Sequence, residues 1–398
     1  MKNQLLHTPD GVRDIYNGEC EKKLYLQDKL HKVLLSYGFH DIQTPTFEFF
    51  NIFSSEIGTT PSKDLYKFFD KEGNTLVLRP DFTPSIARSA VKYYIDEEMP
   101  VKLCYMGNTF INSSDYQGRL KENTQCGAEL IGDGSVAADA EILSMVVDSL
   151  KTSGLKEFQI AVGHAQFFKG LVEEAHIEEE EEAHLRELIS NKNFFGVEEF
   201  VENLNVSSEL QELFSLLRNF NLTEEDLSAA KEKAKDYPLV FQSLDELEKL
   251  NQYLKIYKIE DYVSFELGII SDYHYYTGII FAGYTFGTGE AVVKGGRYDK
   301  LFSYFGKNAP AIGFAIVVDQ LMAALSRQKI TLEIKEDTLL LAYTDDYSAK
   351  AIARAMELRA QGSKVETVLM DKNRTRADYE AYAKKNHLVQ VEFMDGEA

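Results

Sequence analysis

Two apolar runs restrict this chain more than any other feature: "VKLCYMGNTFI" at 101–111 and "TQCGAELIG" at 124–132. Each reads as a strand, and the polar stretch between them reads as a loop, so the pair predicts neighbouring strands of one sheet. Gln125 and Glu129 stand as polar residues in the second run. They are four positions apart, which an ideal strand places on one face. That spacing suits the wall of a pocket for something small and polar.

The flanking sequence supplies helices and further strands. "TPDGVRD" at 8–14 is turn chemistry. From about Cys20 to Tyr37, Leu24, Leu26, Leu30, Val33, Leu34 and Leu35 recur at helical spacing and predict one apolar face. Gly38 is the expected stop. "HDIQTPTFEFF" is extended, with Pro45 marking an edge or boundary. "LYKFFDKEGNTLVLRPDFT" reads as strand, turn, strand, and "PSIARSAVKYYI" as a helix with Pro84 near its start. A helix over about Ala137–Thr152 carries Ile142, Met145, Val146 and Leu150 at helical spacing.

Residues 171–257 differ in being a succession of short acidic amphipathic helices, with a capping-box pattern at Thr223 and Asp226. Strands return over 262–294, and "AIGFAIVVDQLMAALS" reads as a strand running into a helix. The expected fold class is therefore α+β. Residues 1–325 form a mostly antiparallel sheet with helices outside it, and a helical insertion spans about 171–257. Residues 338–393 alternate strand and helix as β-α-β-α-β, which predicts a separate small α/β domain over 331–398.

Charge narrows the function classes. The formal net charge is −21, a poor basis for holding nucleic acid or an anionic membrane. The C-terminal 331–398 segment has 10 Lys and Arg against 13 Asp and Glu, so it is no basic patch. Cys20, Cys104 and Cys126 are scattered, with no C-x-x-C spacing. They predict reduced thiols in a cytoplasmic protein and no metal site. The N-terminus lacks the apolar core of a signal peptide, and no run of about 18 apolar residues predicts a membrane span.

Five ordered blocks resemble a class II aminoacyl-tRNA synthetase core of the histidyl branch. "TPTFE" (44–48) looks like motif 1, the opening strand pair like motif 2, and "PAIGFAIVVDQLM" (310–322) like motif 3. "VLRPDFT" and "DYHYYTGIIF…GGRYDKL" resemble blocks peculiar to the histidyl branch. The chain departs from that pattern where the family places its phosphate-gripping cations. Motif 2 reads "FINSSD", so Ile111 stands at an arginine position, Ser113 at a glutamate and Ser114 at a second arginine. Motif 3 ends in Asp319, Gln320, Leu321 rather than Glu-Arg-Leu, and Ser271 takes another arginine position. Arg119 remains. Adenylation builds negative charge on phosphoryl oxygens, and fixed cations must meet it. Serine and isoleucine supply neither charge nor a bidentate fork.

The resemblance implies that the amino-acid end is kept, at Asp81, Thr83, Gln125, Glu129, Tyr275 and Tyr276. In that reading Asp81 takes the α-ammonium of histidine and Glu129 accepts an imidazole N–H, fixing its tautomer. Ile111 and Ser271 replace arginines that would face the ligand carboxylate. A synthetase-like core without ATP chemistry resembles the regulatory subunits of ATP phosphoribosyltransferase. That resemblance implies a non-catalytic chain with no cofactor and no metal. It implies a short-form catalytic subunit as partner, L-histidine as ligand, and a homodimer joined through motif 1 within a larger hetero-oligomer. It also implies histidine feedback on the first step of histidine biosynthesis. The C-terminal domain resembles a shortened anticodon-binding domain. A divergent histidyl-tRNA synthetase and a stand-alone histidine-binding sensor are the alternatives.

Overall fold

The computed structural model describes residues 6–53, 60–112, 120–204, 206–270, 275–334 and 337–396. The chain divides into two compact units, Met1–Leu332 and Glu333–Ala398.

The first unit opens with helix α1 (Asn17–Ser36), which buries Leu26, Leu30 and Leu34. Their spacing of four puts them on one stripe, and burial of each stabilises the fold by about 2 kcal/mol. Leu24 and Leu35 do not join them, being 59% and 43% exposed. Leu24 lies about 200° round the helix from Leu26, so helical recurrence alone made the predicted face too wide. Gly38 follows the helix with φ +79°, a left-handed turn that glycine enters without strain.

Strands β1 (His40–Asp41), β2 (Phe47–Phe49), β3 (Lys67–Phe69) and β4 (Thr75–Leu78) come next. Helix α2 (Thr83–Tyr93) follows, and Pro84 fits its first turn, where a missing N–H costs nothing. The paired runs then form β5 (Val101–Phe110) and β6 (Glu122–Ile131), antiparallel over their full length. Helix α3 (Val136–Ser153) starts on Ser135, whose side chain accepts from the Ala138 amide, and stops at Gly154.

Strand β7 (Phe158–His164) leads into six helices: α4 (Ala165–Glu174), α5 (Glu179–Ser190), α6 (Phe194–Glu202), α7 (Ser208–Ser215), α8 (Glu224–Lys233) and α9 (Pro238–Tyr257). Thr223 and Asp226 form the reciprocal capping box ahead of α8. Strands β8 (Val263–Phe265), β9 (Ile279–Thr285), β10 (Val293–Arg297) and β11 (Ala311–Val317) run on to helix α10 (Val318–Arg327).

Eight strands make one sheet in the order β1-β5-β6-β11-β10-β9-β7-β8. The pairings from β5 through β7 are antiparallel. The outer pairs, β1 with β5 and β7 with β8, are parallel. Alternation along β6 assigns its two faces. Cys126, Ala128 and Leu130 join a large core with residues of α1, α3 and the insertion. On the opposite face Phe82 and Ile86 of the α2 region pack with Leu103, Tyr105, Tyr298 and Phe302. Gln125 and Glu129 face that second side. A smaller sheet, ordered β2-β4-β3, stands beside it.

The second unit is β12 (Thr338–Tyr343), α11 (Ser348–Ala360), β13 (Lys364–Leu369), α12 (Arg376–Lys385) and β14 (Gln390–Met394). Its three strands are parallel, in the order β13-β12-β14. No helix among the described residues is long and apolar enough to cross a membrane.

Candidate functional site

A cavity of about 340 Å³ lies on the sheet face that carries Gln125 and Glu129. Strand pairing aligns its floor: Glu129 of β6 stands opposite Gly313 of β11, which stands opposite Gly296 of β10. One pleat along, Gly127, Ala315 and Lys294 form the next row. Small residues dominate these rows, so the larger side chains lie flat against backbone.

Glu129 is 1% exposed. The Thr83 hydroxyl, at the first turn of α2, donates to its Oε1 at 2.9 Å. The Tyr298 hydroxyl donates to its Oε2. A Cβ at Gly313 would lie 1.6 Å from that same Oε2, so only glycine fits beneath the carboxyl. Burial pushes the Glu129 carboxyl up to about 8, while the Tyr298 and Thr83 hydrogen bonds pull it down and the charge of Asp81 adds to the rise. At neutral pH the group is mostly protonated. It can therefore offer or accept a proton toward a nitrogen ligand.

Asp81 also lines the cavity. Its Oδ1 accepts from the backbone amides of Phe82 (2.6 Å) and Thr83 (3.3 Å), which ties it to the start of α2. Tyr275 and Tyr276 form another wall, their ring centroids 4.6 Å apart. Tyr275 meets Tyr298 edge-on at 5.8 Å. Tyr276 lies over Gly296, where a Cβ would approach its ring to 2.6 Å. Gln125 lines the cavity, and its Oε1 is buried with no hydrogen-bond partner among the described residues. An unpaired buried acceptor is costly and is best explained by a donor that arrives with a ligand. All six predicted ligand residues thus line one cavity.

The far end of the cavity is lined by Thr109, Ile111, Lys121, Asn123 and Gln320, with Glu290 and Lys294 at its side. Ser113, Ser114, Arg119 and Ser271 lie outside the described residues. Two nearby arginines serve the fold. Arg79 donates to the carbonyls of Asn108 (2.8 Å), Thr44 (2.9 Å) and Pro45 (3.3 Å) and stacks on Phe82. It pins the segment before β2 to β5. Arg297 is 5% exposed and forks onto Asp139. Asp319 accepts from Lys23 Nζ and from the Thr124 amide, both at 2.7 Å, and so joins α1, α10 and β6.

His31, Asp41 and Cys104 also come together, their ligand atoms within 4.8 Å of one another. Burial, with Asp41 beside it, pushes the Cys104 thiol up to about 12, and the His31 ring bonds Asp41 at 2.7 Å. The Cys104 thiol in turn donates to Asp41 Oδ1 at 3.6 Å, so hydrogen bonds through Asp41 join the three groups.

The sequence reading omitted Tyr298, Gly313 and Lys294. Tyr298 sits inside the "GGRYD" block and Gly313 inside "PAIGFAI". Both were quoted as parts of motifs, but only the register of three strands brings them to Glu129.

The histidyl-tRNA synthetase family model matches residues 11–321. The ATP phosphoribosyltransferase regulatory subunit of Acetivibrio thermocellus is 39% identical over 370 residues, covering 92% of this chain and 87% of that one. The subunit of the same name from Ruminiclostridium cellulolyticum is 38% identical over 385 residues, covering 97% and 92%. A crystal structure described as an ATP phosphoribosyltransferase regulatory subunit/histidyl-tRNA synthetase from Bacillus halodurans superposes with a TM-score of 0.84. It is 31% identical, and each chain covers 99% of the other. Identity at this level over nearly the whole chain shows the family: the chain belongs to the ATP phosphoribosyltransferase regulatory subunits, which share the histidyl-tRNA synthetase fold.

Proposed function

We propose that the cavity binds free L-histidine and that the chain passes this signal to a short-form ATP phosphoribosyltransferase catalytic subunit. In this reading it activates the catalytic subunit and carries histidine feedback onto the first step of histidine biosynthesis, in the cytoplasm. The observation that carries the reading is the contrast between the two ends of the cavity. One end keeps a buried carboxyl held by Thr83 and Tyr298, with Asp81 beside it. At the other end stand Ile111 and Gln320, at positions where the motif resemblance implies arginines. A ligand with an ammonium group and an imidazole is well matched to the first end. Nucleotide phosphates find poor support at the second.

Charge argues against RNA as a partner. The insertion over 171–257 carries 21 Asp and Glu against 8 Lys and Arg, so a phosphate backbone is repelled by it. The C-terminal unit, which we read as a shortened relative of an anticodon-binding domain, is also acidic on balance. A homodimer, as part of a larger hetero-oligomer, is supported by the small sheet whose first strand begins inside "TPTFE". Phe47, Phe49 and Phe68 share one face of it and are 51%, 56% and 37% exposed. Aromatic residues on one sheet face favour contact with another protein surface.

Calorimetric titration with histidine, on the parent and on Glu129→Ala, tests the ligand. Binding by the parent and loss in the variant are expected. ATP–pyrophosphate exchange driven by histidine should be absent, and mixing with the catalytic subunit should raise its turnover. Synthetase-like exchange, or no effect on the partner, refutes the proposal.

A further inference from the structure

We infer that Lys294 supplies the positive charge that meets the carboxylate of the amino-acid ligand. The inference rests on the histidine reading above and identifies the residue that takes over from the cations missing at Ile111 and Ser271.

Three observations carry it. Lys294 lines the cavity. No ion pair or hydrogen bond holds its ammonium group among the described residues, in contrast to Lys23 on Asp319 and Lys102 on Glu141. Its position is fixed by register: Lys294 pairs with Ala315, and Ala315 pairs with Gly127. That row is one pleat from the row of Glu129, or about 7 Å along the strands. The separation suits a ligand whose ring meets Glu129 and whose carboxylate lies about one amino acid's length away.

Among the described residues the other cations lie farther along the sheet or are occupied. Lys121 stands level with Ile111 just ahead of β6, about three pleats beyond the row of Lys294, and its Nζ is held by Asn112 Oδ1 at 3.4 Å. Arg79 and Arg297 are consumed by backbone carbonyls and by Asp139. Gln320 carries no charge. With Asp81 facing the ammonium and Lys294 the carboxylate, both charges of a zwitterion are answered. Neither task then needs an arginine. A lysine ammonium gives a flexible point charge rather than a rigid fork, which is enough to hold a carboxylate without gripping a transferring phosphoryl group.

The test is calorimetric titration of the parent, Lys294→Gln and Lys294→Arg with L-histidine and with histidinol, which has the same ring and amine but no carboxylate. The parent should prefer histidine. Lys294→Gln should lose about tenfold in histidine affinity, the scale of one charge-assisted hydrogen bond. Its histidinol affinity should stay the same, so that the preference collapses, and Lys294→Arg should restore it. Lys294 is exposed on its strand, so the variants should melt like the parent. A Lys294→Gln variant that binds histidine as tightly as the parent, or loses both compounds equally, overturns this inference and leaves the histidine reading standing. A parent that binds neither compound overturns both.

Discussion

Replacing Glu129 by glutamine tests whether burial really governs the centre of the cavity. The Glu129 carboxyl titrates at about 8 in the folded chain, against an ordinary value of 4.5. Between those pH values the folded state keeps the proton and the unfolded chain releases it. The raised value means that the contribution of Glu129 is fully present below the unfolded value and is lost as pH rises through the folded one. Each pH unit inside the window is worth about 1.4 kcal/mol, so raising pH from 5 to 7 costs about 3 kcal/mol. The amide variant has a similar shape and cannot titrate. Thermal unfolding of both proteins by circular dichroism from pH 5 to pH 9 isolates the effect, because other titrating groups cancel in the difference. For a unit of this size, about 3 kcal/mol corresponds to a melting shift of about 4 °C. Glu129→Gln should therefore gain about 4 °C on the parent between pH 5 and pH 7. A difference independent of pH means that the carboxyl is ionised in the fold. In that case the Thr83 and Tyr298 hydrogen bonds outweigh burial, and any pH dependence moves to values below 4.5.

Other substitutions probe the same architecture. Gly313→Ala places a Cβ 1.6 Å from Glu129 Oε2, so the carboxyl must leave its seat; histidine binding should disappear by calorimetry while far-ultraviolet dichroism is retained. Arg79→Lys keeps the charge but loses the fork that spans Thr44, Pro45 and Asn108, and urea unfolding should show a loss of about 2–3 kcal/mol. Burial raises the Cys104 and Cys126 thiols, whereas Cys20 is only partly buried. Thiol labelling followed by mass spectrometry should modify Cys20 first and the other two only on unfolding.

The strands over 101–111 and 124–132 were legible as apolar runs on either side of a polar stretch. Gln125 and Glu129 stood out because polar side chains in an apolar strand need a reason. The helical insertion was visible in its acidic, amphipathic composition, and the Thr223 box in its spacing. What stayed hidden depends on contacts between distant segments. β1 is two residues long and exists only because it pairs in parallel with Leu103 and Cys104. Leu24 and Leu35 matched a helical period, yet their phase relative to the sheet was unreadable without the partner surface. Asp319 looked like a changed remnant of motif 3; its Lys23 and Thr124 contacts make it a strut of the fold. Lys294 is an ordinary surface lysine in the sequence and gains meaning only from its row.

The glycines beneath Glu129 and Tyr276 have one further consequence. The cavity is inlaid in the sheet: its depth comes from missing Cβ atoms in paired strands, and loops contribute little to its floor. At Gly127, Gly296 and Gly313 that floor is hydrogen-bonded backbone, which is stiff and offers no side chain to trim. A change of ligand during descent from a common ancestor must therefore be made at the ends and rim of the cavity. The chain fits that rule, keeping its inlay at Gly296 and Gly313 while Ile111 and Gln320 stand at the far end.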